Sequence, residues 1–184
     1  MSQIVSSVQD EYLRYKRLAE GAIAQLSDAD LVVPGPGNGN SIAVLCWHLA
    51  GNFRSRFTDF LTSDGEKPWR HREEEFTRRA VTKDELLAYW EGGWAVLLDA
   101  LGRLTDADLD RQVTVRGQPL LVVEALHRSL AHASYHVGQI VYQARGLKAG
   151  DWRWLSIPPG RSDEYNARPT MEKAAAHAET LRRS

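Results

Sequence analysis

Apolar residues return at intervals of three and four along four stretches of the chain, the period of a helix with one buried face. In residues 2–26 the repeating set is Val5, Val8, Tyr12, Tyr15, Leu18, Ala22 and Leu26. A second stretch, residues 41–62, follows the loop VPGPGNGN, whose glycines and prolines cannot continue a helix. The third, residues 82–104, opens on TKDE, a capping box. The fourth, residues 119–146, opens on Pro119, a favourable first-turn residue. Strand signals are weak, and VTVRG (residues 113–117) reads as an extended loop. Four helices of this length predict an all-α four-helix bundle over residues 1–150. The connections from first to second and from third to fourth are long for simple hairpins, which favours a non-sequential helix order.

LSDADL (residues 26–31) follows the first helix and LTDADL (residues 104–109) follows the third. Ordinary helix-ending turns and an internal duplication both account for that echo. The remainder, residues 151–184, is rich in aromatics, proline and charge, and reads as an ordered irregular arm packed on the bundle. Its TMEKAAAHAETLRRS suits a short terminal helix capped by Thr170, with His177 in solvent.

Helical phase sorts the histidines. On the fourth helix Leu126, Leu130, Ala133, Val137, Ile140 and Ala144 form a core stripe, with His132, His136, Gln139 and Gln143 along its edge. His127 projects away from both stripes. On the second helix Ile42, Leu45, Leu49, Phe53 and Phe60 form the core stripe, bordered by His48, Asn52, Ser55 and Asp59. Cys46 falls about 160° from His48 on the wheel, so it is no joint ligand and reads as a small buried residue. An i, i+4 histidine pair plus a third imidazole from a neighbouring helix would make a facial three-nitrogen site for a divalent ion, with positions left open. Core-edge histidines without metal fit the same spacing, and geometry alone leaves both open. Asn52, Asp59, Gln139 and Glu124 are candidate acceptors for the outer ring nitrogens. A di-iron bundle is excluded, because it needs two ExxH motifs and the chain has only EALH (residues 124–127), whose histidine points the wrong way.

Composition narrows the rest. The 184 residues are 43% hydrophobic and 26% charged, with a net charge of −1. That balance argues against nucleic acid as a partner. No apolar run approaches a membrane span, and the charged amphipathic N-terminus is no secretory signal. The one cysteine favours a reducing, cytoplasmic setting. Arg56 falls within the apolar stripe of the second helix. It is either one half of an ion pair with Asp59 or a carboxylate of the tail, or an anion-binding arginine facing substrate. Asp64, Glu66, Lys67, Arg70 and Arg72 read as anchors of the following loop, with His71 solvated. Ala131, Ser134 and Gly138 on the outer side of the fourth helix would let another helix approach, from this chain or a second copy.

VLCWHLAGNFRSRFTDFLTSDGEKPWRHREEEF (residues 44–76), HASYHVGQIVYQARG (132–146) and WLSIPPGRSDEYN (154–166) together resemble a DinB-like subgroup catalogued as a domain of unknown function. The resemblance covers nearly the whole chain. It implies a DinB/YfiT-like bundle in up-down-down-up order, commonly dimeric. It also implies a zinc or nickel ion held by His48, His132 and His136. Some members of that superfamily are metal-dependent transferases or isomerases acting with low-molecular-weight thiols such as bacillithiol or mycothiol. The expectation is therefore a metal-dependent thiol transferase or hydrolase acting on a small molecule, with Asn52, Arg56 and Gln139 lining the substrate site. The alternative is a non-catalytic metal- or ligand-binding stress-response protein.

Overall fold

The computed structural model describes residues 3–183. Ser2, where the first helix was expected to begin, and Ser184 lie outside the described residues. Four long helices carry the fold: α1 (Gln3–Ile23), α3 (Ile42–Phe57), α4 (Lys83–Arg103) and α5 (Val122–Lys148). Short helices follow the first and end the chain: α2 (Asp28–Leu31), α6 (Ser162–Ala167) and α7 (Ala174–Arg183). Helix α1 packs on α4 and α5, α3 packs on α4 and α5, and α7 lies along α1. This packing is that of a helical bundle.

End contacts tie the helices to one another. The first amides of α1 have no partner within the helix. Asp106, just past the end of α4, accepts from Gln3 N at 2.8 Å and Val5 N at 3.1 Å. At the other end Gln25 donates to the Arg153 carbonyl and accepts from Arg153 N, beyond the C-terminus of α5. The Trp90 indole of α4 donates to Glu20 near the end of α1. The two DADL segments each form a short capped turn, with capping boxes at Ser27 and Thr105. They bury Leu31 and Leu109. The TKDE box at Thr82 is present as well.

The interior is built on four fully buried aromatic rings. Tyr12 meets Phe53 and Trp94 edge-on at 6.2 Å, Phe53 meets Trp94 at 4.7 Å, and Trp90 meets Trp94 at 5.2 Å. Edge-to-face pairs of this kind add to the area they bury. Helices α3 and α4 approach so closely that a Cβ on Gly93 would lie 2.5 Å from the Ala50 Cα. Cys46 is fully buried, as its place on the wheel predicts.

Several expectations need correction. Residues 113–117 are not a loop: β1 (Gln112–Val115) pairs antiparallel with β2 (Gln118–Leu121). The turn residues Arg116 and Gly117 have φ of 56° and 71°, a left-handed pair whose twist matches that of the strands. Pro119 therefore sits in β2, and α5 begins at Val122, with Glu124 accepting from Leu121 N. Helix α3 stops at Phe57 rather than running to residue 62, and Asp59 turns left-handed at φ 49°. In the arm, helix α7 starts four residues after Thr170, which therefore cannot cap it. His177 is buried, not solvated, because α7 lies against α1 and the imidazole Nε2 meets the Leu155 carbonyl at 3.0 Å.

The glycine pair in α4 tests the α3–α4 contact. Gly93→Ala is expected to lower the urea midpoint, although alanine is the better helix former by about 1 kcal/mol, because Ala50 main chain cannot yield. Gly92→Ala, whose Cβ would meet only the mobile end of Arg54, is expected to leave the midpoint unchanged or raise it. Equal effects of the two substitutions would show that the helices are not in close contact at Gly93.

Candidate metal centre

His48 comes from the middle of α3, and His132 and His136 come from successive turns of α5. The i, i+4 spacing stacks the latter two on one face, and the packing of α3 on α5 brings the third ring to meet them. His48 Nε2 lies 3.2 Å from His132 Nε2, and His136 Nε2 lies 3.1 Å from the same atom. Ligand atoms of all three rings fall within 4.8 Å of one another. His48 is 4% exposed and His136 9%.

The outer nitrogens of two rings are fixed. His48 Nδ1 is 2.9 Å from Glu75 Oε2, and His136 Nδ1 is 2.8 Å from Gln139 Oε1. A carboxylate oxygen and an amide oxygen accept, so both Nδ1 atoms carry the proton and both Nε2 atoms present lone pairs inward. Two lone pairs aimed at one imidazole nitrogen are a poor hydrogen-bond arrangement but a good donor set for a cation. With metal–nitrogen bonds of about 2.0–2.1 Å, the nitrogens of a tetrahedral or octahedral site stand about 3.0–3.4 Å apart, the spacing of His132 Nε2 from each of the other two. The residues fit a divalent ion.

Behind His48, Glu75 is held in two ways. Arg70 grips it with Nε and Nη2, each at 2.8 Å, and the Arg70 side chain is only 3% exposed. Burial would raise the Glu75 carboxyl, but the hydrogen bonds from His48 and Arg70 and the charge of Arg70 hold it below the usual glutamate range. Gly51, one turn beyond His48, makes room: a Cβ there would stand 2.4 Å from Glu75 Oε1. Phe76 covers the face of His48 at 4.7 Å, and Tyr135 lies edge-on to His136 at 4.9 Å.

His48 and His132 open on a cavity of about 210 Å³ between α3, α5, the loop after α3 and the hairpin, with His136 behind them. Asn52 and Arg56 line it, as do Arg70, Arg72, Arg116 and Arg128. Gln139 does not line this cavity; it stands on the outer side of His136. Arg56 pairs with Glu66 at 3.0 Å and donates to the Gly65 carbonyl, rather than pairing with Asp59 or the tail. Asp64 braces the hairpin turn, accepting from Arg116 N at 2.8 Å and Gly117 N at 2.7 Å. His127 is exposed and outside the cluster, and His71 is exposed. Of the acceptors expected behind the rings, only Gln139 serves. Glu124 caps α5, Asp59 meets no ring among the described residues, and Glu75 was missed. The signals for Glu75 were slight: a glycine one turn after His48, and the acidic run REEEF far along the loop.

A model of the family described as "Protein of unknown function (DUF1572)" matches residues 1–161, and the chain belongs to that family. No curated protein matches it. Among solved structures it is similar to a conserved protein from Enterococcus faecalis, at 22% identity and a TM-score of 0.57. That match covers 79% of this chain and 96% of the other. It supports the fold alone.

The protonation of the cluster has a measurable consequence. Burial, then the neighbouring His136 and His48, lowers His132 to about 3, and burial also lowers His136. An unfolded histidine titrates near about 6.5. Between those values the unfolded chain binds the extra proton, so stability falls as pH drops from about 6.5 towards 3. Chelator-treated protein is expected to lose urea resistance over that range, and His132→Ala is expected to lose less. Parallel losses in the two proteins would overturn the assignment to His132.

Proposed function

We propose that the protein is a divalent-metal-dependent enzyme, a transferase or hydrolase that works with a low-molecular-weight thiol. The observation that carries this reading is the meeting of the His48 and His136 Nε2 atoms at His132 Nε2, with His48 and His132 lining an arginine-rich cavity. Zinc or nickel suits an all-imidazole donor set. When bound, such an ion supplies the positive charge that keeps a thiol ionised at neutral pH. Glu75 and Gln139 orient the rings, and Phe76 shields one face of His48 from water. Asn52 and Arg56 lie where a substrate would enter.

The up-down-down-up order is part of the same proposal. It is supported by the end contacts, which bring the start of α1 to the end of α4 and the end of α1 to the end of α5. Residues 1–150 would then be the bundle and 151–184 its arm. We place the protein in the cytoplasm on the strength of its single buried cysteine; no helix among the described residues is long and apolar enough to cross a membrane. A homodimer would use the outer face of α5, where Tyr135 and Tyr142 are exposed beside Gly138. The competing reading, a metal-holding ligand-binding module without catalysis, draws on one fact. Among the described residues no aspartate or glutamate lines the cavity to serve as a general base.

Elemental analysis of untagged protein is expected to give about one zinc or nickel per chain. His132→Ala should abolish it with helicity intact, and His127→Gln should not change it. In the cobalt-loaded protein a small thiol is expected to create a sulfur-to-metal charge-transfer band. Protein that stays metal-free after dialysis against either ion overturns the metal site, and a cobalt spectrum that no thiol perturbs overturns the thiol chemistry. Glu75→Gln, which removes the charge behind His48, is expected to weaken metal binding by about tenfold or more; unchanged affinity would show that Glu75 only packs the loop.

A further inference from the structure

Five arginines line the cavity beside His48 and His132, and they differ in what they already hold. Arg70 is consumed by Glu75, and Arg56 by Glu66 and the Gly65 carbonyl. The Arg70 side chain is buried and that of Arg56 half-buried, and both serve the architecture. The other three stand around the mouth and come from three separate elements: Arg72 from the loop after α3, Arg116 from the hairpin turn and Arg128 from α5. Arg72 lies over the Phe76 ring at 4.8 Å, and its carboxylate partner is the exposed Glu73. Arg116 shares Glu66 with Arg56, at 3.0 Å. Arg128, one turn before His132, has no hydrogen-bond or ion-pair partner among the described residues.

The position of Arg116 is costly in a way that needs a reason. Asparagine, aspartate or glycine is the usual residue at the first left-handed position of such a turn. Here an arginine occupies it at φ 56°, and Asp64 braces the main chain on both sides of the turn. A departure from local backbone preference that aims a cation at a cavity is the kind found at binding sites. The cavity is below the range of drug-sized pockets.

We propose that this cavity binds a small oxyanion-bearing molecule, carboxylate or phosphate, and that Arg128, with Arg72 and Arg116, recognises its charge. Arg56 is not the recognition residue; it holds Glu66, which in turn positions Arg116. The reading rests on the proposed function only for what lies at the cavity floor. It gives that function a substrate class: the reacting molecule carries its negative charge about the mouth, away from the imidazoles. Guanidinium groups match both carboxylate and phosphate in a two-pronged geometry.

Calorimetry on chelator-treated protein and on zinc-loaded protein tests this, with succinate, inorganic phosphate and the neutral succinamide as probes. Succinate or phosphate is expected to bind, more weakly as salt is raised, and succinamide is expected not to bind. Arg128→Gln should weaken anion binding about tenfold or more, and Lys148→Gln, remote from the cavity, should not. The tighter of the two anions identifies the group recognised. Anion binding by protein that takes up no metal would sink the metal reading and leave this one standing. Succinamide binding as well as succinate, or no dependence on Arg128 in either form of the protein, would overturn it.

Discussion

Glu75 brings a carboxylate into a place where it is 6% exposed, and much of the site's surroundings is arranged to keep that charge tolerable. An isolated buried carboxylate would take up a proton. Arg70 supplies two hydrogen bonds and the opposing charge, and His48 supplies a third hydrogen bond from Nδ1. That third bond fixes which nitrogen of His48 faces inward. Gly51 leaves the gap through which the carboxylate reaches the ring, and no other residue could stand there without moving Glu75. The loop from residue 58 to 82 is therefore held to the bundle through its charges as much as through its apolar residues. Trp47 stacks on Tyr89 at 3.9 Å, with Arg79 over one ring and Arg54 over the other, closing the loop's far end against α3 and α4.

A second set of charges does the same for the hairpin. Glu66 faces Arg56 and Arg116, and Asp64 accepts from the backbone of both turn residues. The Gly65 amide donates to the Thr114 carbonyl between them. Loop and hairpin thus brace each other over the mouth of the cavity. Such networks are seldom large net contributors to stability, because each charge loses its water. Their use here is positional: they set where Arg116 stands relative to α3 and α5.

The long helices were legible because each carries an apolar stripe of the right period, and one of them opens on a capping box, TKDE. The same phase put His48, His132 and His136 on the flanks of their core stripes, but that the three meet was implied by the family resemblance. What the pattern could not show is what depends on contacts far apart in the chain. Pro119 is a sound helix start by local rules, yet the backbone pairing of residues 112–121 takes it into a strand. His177 looks solvated on a short polar helix until that helix lies along α1. Glu75 is one acid among three in REEEF, and only the folded loop, 27 residues away from His48 in sequence, singles it out.

The same distinction separates the two kinds of arginine at the cavity. Arg56 draws attention in the sequence because it interrupts an apolar stripe, and in the fold it is a half-buried charge whose partner, Glu66, is already in place. Arg128 draws none, because an exposed arginine on a helix is ordinary. Its place one turn before His132, facing a cavity whose lining includes no carboxylate among the described residues, is what makes its charge available. A cation whose counterion is built into the fold holds a structure in place, whereas a cation left without one has its whole charge to offer a ligand. On the proposed reading Arg56 takes the ion-pair role the sequence offered it, and Arg128, which the sequence did not single out, meets the ligand.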